Sequence, residues 1–271
     1  IAQDPVRGAV VELLDATTLG AASPTVVAST ETDSSGHYLF KNATSANPVV
    51  VRVKAVYRRV LAGAGTPSWD IQVIDNTNAG ALYSMQNTQF SITNSAQIKN
   101  LTATSGWGGS AYTTARVAAP FHILDRAYEM VNKITAVDAD VQMPALKMNW
   151  SINNAPTGND VATGQIGTSH YSNGNVYILG LADTDTDEYD GHVVVHEMGH
   201  YFEDKLSRSD SVGGSHSSGQ RLDMRVAFGE GFGNAWSGMI TDDPAYLDSS
   251  GASQGAGFEI NVESFTTANP G

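Results

Sequence analysis

Gly191-His-Val-Val-Val-His-Glu-Met-Gly-His-Tyr-Phe-Glu-Asp204 carries two histidines four residues apart, with a glutamate directly after the first. Four residues make about one helical turn, so a helix here sets His196 and His200 on one face, able to offer imidazole nitrogens to a single ion. Glu197 follows the first ligand and can reach a water on that ion. The Val193-Val194-Val195 run ahead of the motif predicts a helix buried in the core, which holds the ligands rigid. A surface helix with two unrelated histidines is the plain alternative. The apolar lead-in and a second segment downstream both argue against it.

That second segment is Ala227-Phe-Gly-Glu-Gly-Phe-Gly-Asn-Ala-Trp236. A catalytic zinc takes three protein ligands and keeps one position for water. Glu230, about thirty residues beyond His200, is the best third ligand in the chain. The spacing lets one helix end, a loop reverse, and a second helix bring its carboxylate to the metal. Asn234, one turn further on, is placed to bond the free nitrogen of a ligand histidine. An ordinary solvated carboxylate is the alternative for Glu230, but Phe228, Phe232 and Trp236 around it speak against free solvation.

An H-E-x-x-H motif followed by a distant G-E on another helix resembles the gluzincin metallopeptidases. Gly229-Glu230-Gly231-Phe232 is similar to the G-E-G-W run of the fungalysin, thermolysin-like branch. The resemblance covers roughly residues 110–240 and rests on its two motifs. It departs at Asn234, where the family often has aspartate. Metzincins would need glycine at Glu203 and histidine or aspartate at Leu206. The resemblance implies a zincin-like metallopeptidase domain over residues 96–271, with a mixed sheet and an active-site helix; with the β-sandwich read over residues 1–95 the expected fold class is α+β. The catalytic domain is expected to be shortened, or cut off after Gly271.

The 271 residues suffice for two domains, each with its own core. No apolar run is long enough to cross a bilayer as a helix. The chain starts at Ile1, so any signal or pro-segment is expected to have been removed. Zero cysteines exclude disulfides, thiolate ligands and a cysteine nucleophile. A formal charge of −13 argues against a nucleic-acid partner, whose phosphates it would repel. The expectation is a secreted or extracellular bacterial protein acting on a protein or peptide substrate, with its oligomeric state left open.

Residues 1–95 read as short strands: 6–14, 26–30, 38–40, 49–57 and 71–74, with Thr32-Asp-Ser-Ser-Gly36 as a hairpin turn. The order V-x-G-A-x-V-x-L, then T-D-x-x-G-x-Y-x-F, resembles carboxypeptidase regulatory-like, transthyretin-type modules, which implies an accessory role. His37 reads as structural or exposed. Residues 87–109, rich in Ser, Thr, Asn and Gly, read as the crossing between domains. From 115 to 134 the pattern turns helical, with Val117, Phe121, Leu124, Tyr128 and Val131 on one face. His122 falls off that stripe and is read as non-catalytic.

Residues 146–152 and 175–179 read as strands. If 174–178 is the sheet edge beside the cleft, the main chain of Asn175, Val176 and Tyr177 would pair with an extended peptide; an ordinary sheet edge is the alternative. Asp183, Asp185 and Asp187 in Asp183-Thr-Asp-Thr-Asp-Glu-Tyr-Asp190 offer the hard oxygens calcium prefers, against a solvated acidic loop as the alternative. The serine- and glycine-rich stretch from Ser207 to Ser218 carries the chain back toward Glu230. No histidine follows Glu230, whereas thermolysin-like enzymes place their oxyanion histidine downstream of that glutamate. His216, Tyr189 and Tyr246 are the candidate substitutes.

The expected function is a zinc endopeptidase in which His196, His200 and Glu230 hold Zn²⁺ and Glu197 is the general base. The competing expectation is a cell-surface or secreted binding protein, working through its β-sandwich, with a structural or degenerate metal site.

Overall fold

The computed structural model describes residues 4–60, 65–94, 96–216 and 219–264; Ile1, Gly271, Ser217 and Ser218 lie outside them. The chain opens with β1 (Val10–Asp15), β2 (Val26–Glu31), β3 (Val49–Lys54), β4 (Val56–Arg59), β5 (Trp69–Asp75), β6 (Ala81–Leu82) and β7 (Ser84–Gln86). Helix α1 (Ala119–Val137) follows, then β8 (Leu146–Trp150), β9 (His170–Ser172), β10 (Asn175–Ile178), β11 (Gly180–Leu181) and β12 (Asp185–Thr186). Helices α2 (Gly191–Leu206) and α3 (Met224–Thr241) come next, and β13 (Ala245–Ser250) and β14 (Ala256–Asn261) close the described chain. The fold class is α+β with a mixed central sheet.

Strands β2-β1-β3-β7 form an antiparallel sheet whose inward residues, Val11, Leu13, Val51 and Val53 among them, are buried. The expected strand over 49–57 breaks at the buried Ala55. Its N–H donates to the Tyr83 carbonyl and its own carbonyl accepts from Val73 N–H, so the chain leaves one sheet and enters another. The turn at 32–36 forms, with Asp33 accepting from the N–H groups of Ser35 and His37. Residues 38–40 do not return as its second strand; Tyr38 and Phe40 pack against the core instead, and the Tyr38 hydroxyl donates to the Lys99 carbonyl.

The central sheet runs β4-β5-β8-β10-β9, with β6 beside β5. Strands β5, β8 and β10 are parallel, and Ile71, Val73, Leu146, Met148, Val176 and Ile178 in them are fully buried. Asp70, Gln72, Lys147, Asn175 and Tyr177 alternate with them and are less buried, so one face of these strands packs on the core and the other is only partly covered. The division expected after residue 95 does not separate two sheets, since β4–β6 precede it and β8–β10 follow it within this one. Parallel pairing of β5 with β8 across about seventy residues leaves no local trace in sequence.

Helix α1 packs on β4 and β5 and also meets α2 and α3. It begins at Ala119 rather than near 115, because Pro120 is tolerated only in a first turn. A third, antiparallel sheet, β11-β12-β13-β14, joins the segment leading into α2 to the segment leaving α3. Among the described residues no helix is long and apolar enough to cross a membrane.

Candidate metal centre

Three consecutive valines make α2 a poor helix by intrinsic propensity. Burial outweighs that cost, since every residue from His192 to Gly199 is buried. Helix α3 holds Gly229, Gly231, Gly233 and Gly238, each costing about 1 kcal/mol relative to alanine in a helix. Asp223 caps its start, accepting from Arg225 N–H. Two glycines set how close the helices come. A Cβ on Gly233 would lie 2.7 Å from the His196 ring, and one on Gly199 would lie 3.2 Å from the Gly233 Cα. The missing side chains let α3 carry Glu230 up to the histidines.

His196 Nε2 lies 3.1 Å from His200 Nε2 and 3.2 Å from Glu230 Oε2, and His200 Nε2 lies 3.7 Å from Glu230 Oε1. An amide or carboxylate oxygen only accepts, so the partners of the other ring nitrogens assign the protons. His196 Nδ1–H donates to Asn234 Oδ1 at 2.9 Å, and His200 Nδ1–H donates to Glu203 Oε2 at 3.4 Å. Both Nε2 atoms are then bare lone pairs turned toward one another and toward a carboxylate. That arrangement is repulsive by itself and suits a cation among the three. The three can hold a metal ion, their ligand atoms all lying within 4.8 Å of one another. A tetrahedral zinc with bonds of about 2.05 Å separates its ligands by about 3.3 Å, within the observed range of contacts.

The electrostatics match this protonation at His200 and favour the charged form at His196, whose Nε2 proton a bound ion would replace. Burial, then the charge of His196, lowers His200 to about 4. Burial works against a charged His196, but the Glu230 hydrogen bond and the charges of Glu197 and Glu230 outweigh it and raise its pKa. Burial opposes ionisation of Glu230 as well, yet the imidazoles hold its pKa below the usual value. Glu197 is buried. Burial pushes its carboxyl up to about 7, against the pull of His196 and a hydrogen bond from the Tyr171 backbone N–H. A carboxyl poised there can both take and give a proton at neutral pH.

The other expected residues divide. His216 Nε2 lies 3.3 Å from Glu230 Oε2, and the Tyr246 ring stands edge-on to His196 with centroids 6.2 Å apart. Tyr189 is not at the centre; its hydroxyl donates to the Ser105 carbonyl. His122 meets the Glu188 carbonyl through Nδ1, and His37 is exposed, so neither joins the site. Strand β10 is not a sheet edge: Asn175, Val176 and Tyr177 pair with β8 on one side and β9 on the other, leaving no free backbone for a peptide. The edge is β9, because the turn at Asn173-Gly174 folds the preceding segment onto the outer flank. Asp183 is also displaced from the expected acidic group; it accepts from Ser253 N–H, while Asp185 and Asp187 gather with Asp248.

Three participants escaped the sequence reading. Glu203 orients His200, and its place three residues along the same helix was a usable signal. Tyr171 meets Glu197 through its backbone, which no side-chain pattern records. Asp248 arrives from a strand about sixty residues beyond Asp185. No family model matches the chain, and no curated protein matches it in sequence.

Proposed function

We propose that this chain is a zinc-dependent endopeptidase. The observation that carries the reading is the pair of imidazole Nε2 atoms, that of buried His196 and that of half-buried His200, 3.1 Å apart and facing each other and the Glu230 carboxylate while each Nδ1–H is taken up elsewhere. His196, His200 and Glu230 would hold the ion. Zinc so bound lowers the pKa of a water molecule toward neutrality and polarises a carbonyl.

Glu197 takes the proton from the attacking water and passes it to the leaving amine, a double duty that its position near neutrality supports. Asn234 and Glu203 fix the rings in the tautomer that keeps Nε2 free. His216, beside Glu230 and partly open to solvent, would donate to the oxyanion in its doubly protonated form, since its Nδ1–H is taken by the Gly214 carbonyl. The outer flank of β9 has no strand paired to it among the described residues, and its Tyr171 lies against Glu197. An extended substrate would add there as a further strand.

The test is cleavage of a denatured, unstructured protein by the purified chain. Activity is expected to disappear with a chelator, to return with zinc, and to fall at least a thousandfold in Glu197→Gln while zinc content holds. Full activity in Glu197→Gln would remove this role from Glu197. Absence of cleavage by the zinc-loaded wild type on any denatured protein would remove the peptidase assignment.

A further inference from the structure

A second group of acidic side chains lies outside this centre. Carboxylate oxygens of Asp185, Asp187 and Asp248 all fall within 4.8 Å of one another. Asp187 is 4 % exposed. One of its oxygens accepts from the Ser169 hydroxyl, and the other, Oδ1, is buried with no hydrogen-bond partner. Asp185 Oδ1 is likewise buried and unpartnered, and the two carboxylates lie against each other. The charges acting on Asp187 come from Asp185, Asp248 and Asp190, all acidic. Among the described residues no lysine, arginine or histidine forms an ion pair with any of the three ligand candidates.

The neighbouring position shows what this fold does with a buried acid that needs no ion. Glu188 is fully buried, bridged by Arg116 at 2.5 Å and bonded by the Trp150 indole N–H at 3.2 Å. Next to that neutralised carboxylate, three others converge with no counter-charge and two bare oxygens. Buried charges are paired or coordinate metals, since desolvating an unpaired carboxylate costs several kcal/mol.

We propose that Asp185, Asp187 and Asp248 bind a calcium-class divalent cation, one that takes oxygen ligands only. Calcium–oxygen bonds of about 2.3–2.6 Å allow ligand oxygens to sit up to about 5 Å apart across the ion, which fits the observed span. The donor set has no nitrogen or sulfur, which distinguishes it from the histidine-containing centre. Its place gives it a task. Asp185 and Asp187 lie on and just after β12, which leads into α2, and Asp248 lies on β13, which leaves α3. These strands pair only at Asp185 and Ser250. A cation here ties the start of one ligand-bearing helix to the exit of the other, in a chain without disulfides. Cation binding at this site does not depend on the peptidase reading; only its support of the zinc ligands does.

The experiment uses the full chain, stripped with a chelator and titrated with calcium chloride, read by thermal melting and by terbium luminescence sensitised by nearby tyrosine and tryptophan. Millimolar calcium is expected to raise Tm by about 5 °C or more, the shift that ligand at roughly a hundred times Kd gives a chain of this size. Terbium emission should rise and be quenched by calcium. Both responses should vanish in Asp187→Asn, and in Asp248→Asn should the first variant fail to fold. Both should persist in His196→Ala, which separates this site from the zinc centre. An unchanged Tm and no terbium signal in the wild type would overturn the proposal, as would a calcium response that survives both aspartate substitutions.

Discussion

Asn234 decides more than its size suggests. An amide oxygen can only accept from His196 Nδ1, so one hydrogen bond selects the tautomer that leaves Nε2 free to ligate. Glu203 does the same for His200 from inside α2. Asp190, just before α2, shows the opposite economy. Burial pushes it up to about 6, from an ordinary 3.8, even though Ser249 donates to it through N–H and hydroxyl. The folded chain therefore holds this proton more tightly than the unfolded one. Its contribution to stability is complete below about pH 4 and is lost as pH rises through 6, a fall on the order of 3 kcal/mol. Asp190→Asn should flatten that part of the stability profile in urea unfolding between about pH 4 and pH 7. Identical slopes in the variant and the wild type would show that Asp190 does not titrate as described.

At the scale of elements, the helix pair α2 and α3 is held at the separation that Gly199 and Gly233 permit. A methyl group on Gly233 would fall on the His196 ring at 2.7 Å, where it must displace either the ring or the helix. Gly233→Ala is therefore expected to lower zinc affinity at least tenfold, although alanine favours helices by about 1 kcal/mol. Equilibrium dialysis against zinc reads the outcome, and wild-type affinity in that variant would mean the close approach is not needed. This part of the molecule was legible from sequence because its determinants are local. The i, i+4 histidines, the valine run, the Glu230–Asn234 pair and Pro120 each act within a turn or two of helix. The sheets were less legible. Strand β10 was read as an edge because its own residues cannot report that β9 covers it, and residues 38–40 looked like a returning strand because the core contacts that hold Tyr38 and Phe40 instead are not a local property.

Across the whole molecule, the same reasoning explains the division that the sequence suggested near residue 95. Composition changes there, but β5 pairs with β8 in parallel and α1 packs on β4 and β5, so the site-bearing half leans on strands from the first half. A fragment of residues 96–264 alone would expose the β8 edge and the buried face of α1. It is expected to lack cooperative thermal unfolding in circular dichroism, and the intact chain is expected to unfold cooperatively. A folded fragment with a sharp transition would restore two independent domains. Asp248 belongs to this scale too: its partners on β12 lie two helices earlier in the chain, a distance at which acidic spacing carries no information.

Side chains from α2 and α3 are proposed to converge on one zinc ion. Metal content after zinc loading and desalting, measured on the wild type and on His200→Ala, Glu230→Ala and Glu197→Gln, tests it most directly. One tightly held zinc per chain is expected in the wild type and in Glu197→Gln, with near-complete loss in His200→Ala and Glu230→Ala. Full zinc retention in Glu230→Ala, with its fold intact, would show that Glu230 is not a ligand.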